Sequence, residues 1–127
     1  MGITMINDTE KQIENAIFKY LSLEPGIFAF KVETKGVFNQ ATNAFRHAGQ
    51  HVVLGTADIL ACYDCGGIGI FIALEVKSAI GKISQNQINF KQRVEAVNGF
   101  YFLVRSIQDT QKALETVRTT LAEKKVI

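Results

Sequence analysis

The chain is predicted to form a small α/β or α+β domain in which helices flank a central mixed sheet. Apolar residues recur at helical spacing near both ends of the chain and in one segment between them. Alternating or continuous apolar runs, typical of strands, lie between those helices. The resulting order, helix, three strands, helix, strand, helix, favours one sheet covered by helices.

The composition is that of a single globular domain. The 127 residues, 47% of them hydrophobic, are enough for one domain, residues 1–127, with its own core. The longest apolar run, Ile68 to Val76, contains Gly69 and Glu75 and is shorter than the ~18 residues of a membrane span. Met1 to Asp8 has no basic segment of the kind that begins a signal peptide, so a cytoplasmic location is expected. The net charge is only +2, so any nucleic-acid binding must use a local basic patch.

The first helix is predicted over residues 8–22. Asn7 or Asp8 can cap its N-terminus, and Pro25-Gly26 ends it. Its buried stripe is formed by Ile13, Ile17, Tyr20 and Leu21.

The next two segments are a strand and a long loop. Residues 27–34 read Ile-Phe-Ala-Phe-Lys-Val-Glu-Thr and are predicted to be a strand. Residues 35–52 are polar and irregular, and a loop of this length in a compact domain is usually functional or mobile.

The remaining elements are a hairpin, a helix, a strand and a last helix. The hairpin strands cover 57–63 and 68–77. The second helix covers 84–98 and is opened by Ser84 with Gln87 three residues later, the spacing of a capping box. A strand over Phe100 to Arg105 and a helix over 108–123 follow. The last helix is predicted to bury Ala113, Leu114, Val117 and Leu121.

The hairpin carries three charged side chains in an otherwise apolar setting. Alternation in its second strand places Glu75 and Lys77 on one face. If Gly66-Gly67 is a two-residue turn, Asp58 lies opposite Glu75, and if 64–67 is a four-residue turn, Asp58 is diagonal to it on the same face. A three-residue turn would separate the two carboxylates. Opposite Cβ atoms are ~5 Å apart, close enough for both carboxylates to share a divalent cation.

These residue types suit one chemistry. Two carboxylates for a cation and a lysine beside the scissile phosphate are what metal-dependent phosphodiester cleavage needs. The alternative is a surface Glu75–Lys77 pair with Asp58 capping a turn. The apolar strand disfavours that alternative, since charges are costly there unless they have a role.

Gln87 is predicted to point toward the sheet near Lys77. It lies on the apolar stripe of the second helix, which consists of Ile83, Phe90, Val94 and Val97. There it could orient water or hold a phosphate, or it could only close the capping box with Ser84, and both roles are compatible.

Glu10 is a candidate third carboxylate. It lies one turn before Ile13 on the stripe of the first helix. The alternative is a capping-box partner for Asn7. Glu14, slightly off the stripe, is the competing acid.

The segments around these residues resemble the virus-type replication-repair nuclease (VRR-Nuc) domain of the PD-(D/E)XK nuclease superfamily. The matching segments are Gly55–Ile59, Ile72–Lys77, Gly81–Gln87, Gly99–Tyr101 and Val104–Ser106. The resemblance covers Glu10 to about Leu114. It implies a restriction-endonuclease-like core of order αβββαβ with a C-terminal helix.

The resemblance also implies that the chain is an endodeoxyribonuclease that depends on Mg²⁺ or Mn²⁺. Asp58 and Glu75 would bind the metal together with the Val76 carbonyl. Lys77 would position the attacking water. Gln87 matches the family's glutamine.

Further implications concern the first-helix acid, the substrate and assembly. Glu10 matches the family's first-helix acid, as a further metal ligand. Short members of this kind resemble phage and prophage proteins of DNA repair and recombination, which act as homodimers on four-way (Holliday) junctions in a bacterial or phage-infected cell. The superfamily's proline before the aspartate is Ala57 here, a change that removes no ligand. Candidate DNA-contacting residues are Lys82, Arg46, Lys35 and Lys91.

Competing interpretations use other residues. Cys62 and Cys65 form a C-x-x-C, and with His47 and His51 they could make a zinc site, although the histidines-first order is unusual. A redox pair is disfavoured because Gly66-Gly67 follows instead of a helix N-terminus. The chain lacks G-x-S-x-G and Walker motifs. A DNA-binding module with a degenerate nuclease fold is the second hypothesis.

Overall fold

The computed structural model describes residues 9–32, 37–39, 44–46 and 52–124, with only the backbone described at 37–39 and 44–46. The elements in chain order are α1 (Glu10–Leu23), β1 (Ile27–Lys31), β2 (Val37–Asn39), β3 (Ala44–Arg46), β4 (Ile59–Cys65), β5 (Ile68–Val76), α2 (Gln85–Ala96), β6 (Phe100–Val104) and α3 (Ile107–Glu123).

The fold is an α/β arrangement with a four-stranded mixed sheet. The strand order is β1-β4-β5-β6, with β1, β4 and β5 antiparallel and β6 parallel to β5. A parallel pair needs a crossover connection, and α2 provides it. The predicted mixed sheet flanked by helices is therefore confirmed. In the ranges that the structure describes, no helix is both long and apolar enough to cross a membrane.

The segment predicted as an irregular loop contains two short strands. β2 and β3 pair antiparallel, with Val37 opposite Arg46 and Asn39 opposite Ala44. The prediction of irregular structure over 35–52 was wrong for these residues. Strands of three residues are too short for alternation to stand out from polar surroundings.

The N-terminal cap of α1 also differs from the prediction. The helix begins at Glu10, and Thr9 is its cap. The Thr9 hydroxyl accepts from the Gln12 N–H at 3.1 Å, and Gln12 Oε1 accepts from the Thr9 N–H at 2.9 Å. This capping box satisfies two backbone donors, so the cap is Thr9 and the prediction of Asn7 or Asp8 as the cap was wrong.

The β4–β5 hairpin has the two-residue turn that places Asp58 opposite Glu75. Gly66 and Gly67 have φ of +60° and +88°, and Cys65 lies opposite Ile68. Two positive φ angles at the centre of a hairpin turn match a type I′ turn, which glycine adopts without strain. The resulting register pairs Ile59 with Leu74, so the next positions outward are Asp58 and Glu75.

The sheet separates two layers of apolar packing. On one face, α1 and α3 cover β4 and β5. The buried residues of this layer include Ile13, Ile17, Leu21, Ile59, Ile72, Leu74, Val76, Leu114, Val117 and Leu121. On the other face, α2 covers a smaller cluster made by Ala57, Ala73, Phe90, Val94 and Tyr101. Glu75 follows Ala73 by two residues and therefore points to the α2 face.

One predicted core residue of α2 is exposed. Val97 is 78% exposed, whereas Phe90 and Val94 of the same stripe are buried. The helix ends at Ala96, and Asn98 turns the chain with φ of +68°. Val97 therefore lies beyond the last position at which helical spacing would bring it to the sheet.

Candidate active site

Asp58 is fixed at the point where β4 begins. Its backbone carbonyl accepts from the Val32 N–H at 3.1 Å, and its Oδ2 accepts from the Val76 N–H at 2.8 Å. Asp58 therefore joins the end of β1 to the end of β5. The N–H and C=O of one extended residue point to the same side of the strand, so the Val76 carbonyl also points toward Asp58.

Glu75 is a buried carboxyl beside Asp58. It is 2% exposed, and its pKa is raised to about 9, first by burial and then by the adjacent carboxylate of Asp58. The Lys77 ammonium opposes this rise in pKa, and the charge of Glu10 adds to it. Two adjacent carboxyl groups in this setting need a shared proton or a cation between them. The predicted proximity of Asp58 and Glu75 is thus present in the structure.

Two side chains contact the same oxygen of Glu75. Gln87 Nε2 donates to Glu75 Oε2 at 2.9 Å, and Lys77 Nζ lies 3.7 Å from that oxygen. Gln87 also closes the capping box, since its Oε1 accepts from the Ser84 N–H at 2.8 Å. The two roles weighed for Gln87 from the sequence therefore coexist.

Gly55 holds the loop before Asp58 against the start of α2. Its φ is +79°, and a Cβ at this position would overlap the Asn86 carbonyl and lie 2.7 Å from the Gln87 nitrogen. The close approach requires glycine. It sets the distance between the loop that carries Asp58 and the helix turn that carries Gln87, a role the sequence analysis did not assign.

A cleft of about 470 Å³ opens beside Asp58 and Gln87. Its lining consists of Glu10, Lys11, Glu14, Lys31, Val32, Gly55, Thr56, Asp58, Val76, Ser84, Asn86 and Gln87. Such a volume is that of an ordinary small-molecule site. The lining combines carboxylates on α1 and just before β4 with lysines on α1 and β1. It therefore suits a negatively charged ligand, such as a phosphate, bound together with a metal cation.

The two acids of α1 have different partners. Glu14 Oε2 lies 3.3 Å from Lys31 Nζ and 3.6 Å from Lys11 Nζ. Glu10 is close enough to raise the pKa of Glu75, and a Cβ built on Gly81 would lie 3.0 Å from Glu10 Oε2. Glu10 thus has the closer electrostatic link to Glu75, and which of the two acids acts at the site stays a prediction.

The role of Glu10 as a metal ligand stays a prediction. Within the described ranges, no group of three or more His, Cys, Asp or Glu side chains is close enough to hold a metal ion. The structure brings together two candidate carboxylate ligands, Asp58 and Glu75. A Mg²⁺ or Mn²⁺ ion needs oxygen donors and commonly takes only one or two carboxylates from the protein. This donor set fits that requirement.

The candidate DNA-contacting residues are only partly described. Lys82 is exposed in the segment before α2, and Lys91 is half-buried on α2, one turn beyond Gln87. Lys35 and the side chain of Arg46 lie outside the described residues. Their contact with DNA stays a prediction.

The geometry of the two cysteines argues against a zinc site. Both are free thiols; Cys62 is exposed, and Cys65 is buried in the core on the α1 and α3 face. Residues three apart in a strand point to opposite faces, so the two sulfurs cannot bind one ion. His47 and His51 lie outside the described residues.

Tyr101 is a buried polar residue that the sequence analysis missed. It is 6% exposed at the sheet's α2 face, and its pKa is raised first by burial and then by the charges of Glu75 and Asp58. The available signal was a hydroxyl-bearing side chain in the otherwise apolar strand Phe-Tyr-Phe-Leu-Val.

Comparison of the chain with protein-family models, with curated proteins and with solved structures gave no match. The functional interpretation therefore depends on the geometry described above and on the sequence resemblance.

Proposed function

We propose that the chain is a divalent-metal-dependent endodeoxyribonuclease with a PD-(D/E)XK core of the VRR-Nuc type. The observation that carries the proposal is the placement of Asp58, which lines the cleft, beside the buried Glu75, with Lys77 and Gln87 both directed at Glu75. Burying the Glu75 carboxyl beside the half-buried carboxylate of Asp58 is unfavourable, and a structural role would be served better by apolar side chains. Binding a cation offsets that cost.

Asp58, Glu75 and the Val76 carbonyl would hold Mg²⁺ or Mn²⁺, and Glu10 is the candidate additional ligand. When bound, such an ion polarises a phosphoryl oxygen and lowers the pKa of bound water. Gln87 fixes the orientation of the Glu75 carboxyl through Oε2, which keeps that group preorganised.

Lys77 is the candidate residue for orienting the nucleophile. Its side chain is 12% exposed and held 3.7 Å from Glu75, so its ammonium has little freedom to leave the site. From there it positions a water beside the scissile phosphate and stabilises negative charge that develops on the phosphoryl oxygens. A fixed ammonium in a partly buried site is more effective in this role than one free in water.

The substrate proposed is branched DNA, including four-way junctions, bound by a homodimer. Symmetric cuts in two strands of a junction need two active sites, which a two-fold dimer supplies. Lys82, Lys91, Lys35 and Arg46 are the candidate phosphate contacts.

The test is cleavage of labelled four-way junction and linear duplex with Mg²⁺, Mn²⁺ or EDTA. We expect metal-dependent cleavage of the junction by the wild-type protein and none by Glu75→Ala or Asp58→Ala. Glu115→Ala, an exposed acid on α3, is the matched control and should cleave normally. Cleavage retained in either active-site variant would refute the assignment. Junction binding without cleavage by the wild type would instead favour a DNA-binding module.

A further inference from the structure

Two buried side-chain oxygen atoms on the α2 face of the sheet have no hydrogen-bond partner in the described residues. Within the described part of the chain, Glu75 Oε1 and the Tyr101 hydroxyl are the buried side-chain oxygens and nitrogens that make no hydrogen bond. Each such atom costs free energy, because it has left water and gained nothing in exchange. One is an acceptor and the other carries a donor proton, so a single water between them can satisfy both.

The sheet register brings the two side chains together. In the parallel β5–β6 pair, Tyr101 lies beside Ala73, and Glu75 lies beside Leu103. Ala73 and Tyr101 belong to the same apolar cluster under α2, and Glu75 shares the face of Ala73. Tyr101 and Glu75 are thus diagonal neighbours, with a Cβ separation of ~7–8 Å that an aromatic side chain can span.

The ring of Tyr101 has little freedom to turn away. It packs edge-on against Phe90, with ring centroids 6.1 Å apart. Val94 and Ala57 complete the same buried cluster. Burial first, and then the charges of Glu75 and Asp58, raise the pKa of Tyr101, as expected if the three side chains are close neighbours.

We propose that the Tyr101 hydroxyl donates to Glu75 Oε1 through one buried water, and so is a positioning residue of the active site. Gln87 and Lys77 contact Oε2 at the other oxygen of the carboxyl. With both oxygens held, the carboxyl has one orientation toward Asp58. This inference rests on the proposed function, because the orientation matters for a cation shared with Asp58.

The first test is the Mn²⁺ affinity of Tyr101→Phe, measured by titration calorimetry on the full chain. Removing a hydrogen-bond partner of a metal ligand typically weakens metal affinity ~10–100-fold, and we expect a loss of at least ~10-fold. Tyr63→Phe is the matched control. The Tyr63 hydroxyl accepts from Arg118 Nε at 3.2 Å on the α3 side of the sheet, so this variant should bind Mn²⁺ as the wild type does.

The second test needs no metal. In EDTA, Tyr101→Phe should lower Tm by about 3 °C or more, the shift expected for one lost hydrogen bond in a domain of this size. In a Glu75→Leu background, which has no acceptor for the hydroxyl, the same substitution should not lower Tm. Comparing the two backgrounds isolates the interaction between the two side chains.

The outcomes separate the inference from the proposed function. Unchanged Mn²⁺ affinity in Tyr101→Phe, with tight binding by the wild type, would overturn the positioning role and leave the metal site intact. Equal Tm losses in both backgrounds would overturn the hydrogen bond. If the wild type binds no Mn²⁺, the proposed function fails and the positioning role fails with it, while the Tm comparison still decides whether Tyr101 and Glu75 are paired.

Discussion

Replacing Glu75 by glutamine is expected to stabilise the metal-free protein at neutral pH. Folding raises the pKa of Glu75 from 4.5 to about 9. At pH 7 the unfolded chain has lost this proton, whereas the folded chain retains it. Between pH 4.5 and pH 7 this difference, at ~1.4 kcal/mol per pH unit, lowers the unfolding free energy by about 3.5 kcal/mol. Glutamine has no ionisable proton, so the Glu75→Gln variant does not lose this unfolding free energy.

The sign of the pH dependence follows from the direction of the shift. Because the folded protein binds the Glu75 proton more tightly than the unfolded chain, the unfolding free energy falls as pH rises above 4.5. The fall continues until the folded pKa of about 9 is passed. The Glu75→Gln variant lacks this component, so the difference between the two proteins should widen from pH 5 to pH 9.

The assay is urea denaturation in EDTA at a series of pH values. The Glu75→Gln variant should exceed the wild type by ~1–3 kcal/mol at pH 7, since imperfect amide hydrogen bonding offsets part of the gain. Glu115→Gln, at an exposed position of α3, should change stability by less than ~0.5 kcal/mol. A Glu75→Gln variant that is less stable than the wild type at pH 8, or that keeps the wild-type pH slope, would refute the reasoning.

Three further outcomes are expected. Lys77→Met should reduce cleavage by ~10²-fold or more while Mn²⁺ binding persists, as cleavage assays and calorimetry would show. Gly55→Ala should lower the unfolding free energy by about 2 kcal/mol or more and impair cleavage, because its Cβ would overlap the Asn86 backbone. Gly67→Ala also has a positive φ, but its Cβ would meet open space. It should lose only ~1–2 kcal/mol and keep cleavage. Leu114→Ala, at a buried site, should lose ~2–5 kcal/mol of stability without changing Mn²⁺ affinity. Equal effects of the two glycine variants would contradict the role given to Gly55, and loss of Mn²⁺ binding in Lys77→Met would contradict the role given to Lys77.

The central part of the site could be predicted from the sequence because local rules determine it. Alternation placed Glu75 and Lys77 on one face, and the glycine pair fixed a two-residue turn that brings Asp58 next to Glu75. Helical spacing pointed Gln87 toward the sheet, where it donates to Glu75.

Other parts depended on contacts between distant segments. Tyr101 belongs to an apolar strand, and its place beside Glu75 follows only from the parallel pairing of β5 with β6. The need for glycine at position 55 comes from the approach of the α2 backbone, which leaves no periodic signal in the sequence. The cap of α1 was misassigned because several adjacent residues, Asn7, Asp8 and Thr9, all have capping side chains.

The most direct test of the central claim is a crystal of the wild-type protein grown with Mn²⁺, with anomalous diffraction recorded at the manganese edge. The expected result is a peak within coordination distance of Asp58 and Glu75, near the Val76 carbonyl, which is lost in Glu75→Gln. The absence of a peak at saturating Mn²⁺, or a peak away from Asp58 and Glu75, would contradict the assignment of this pair as a cation site.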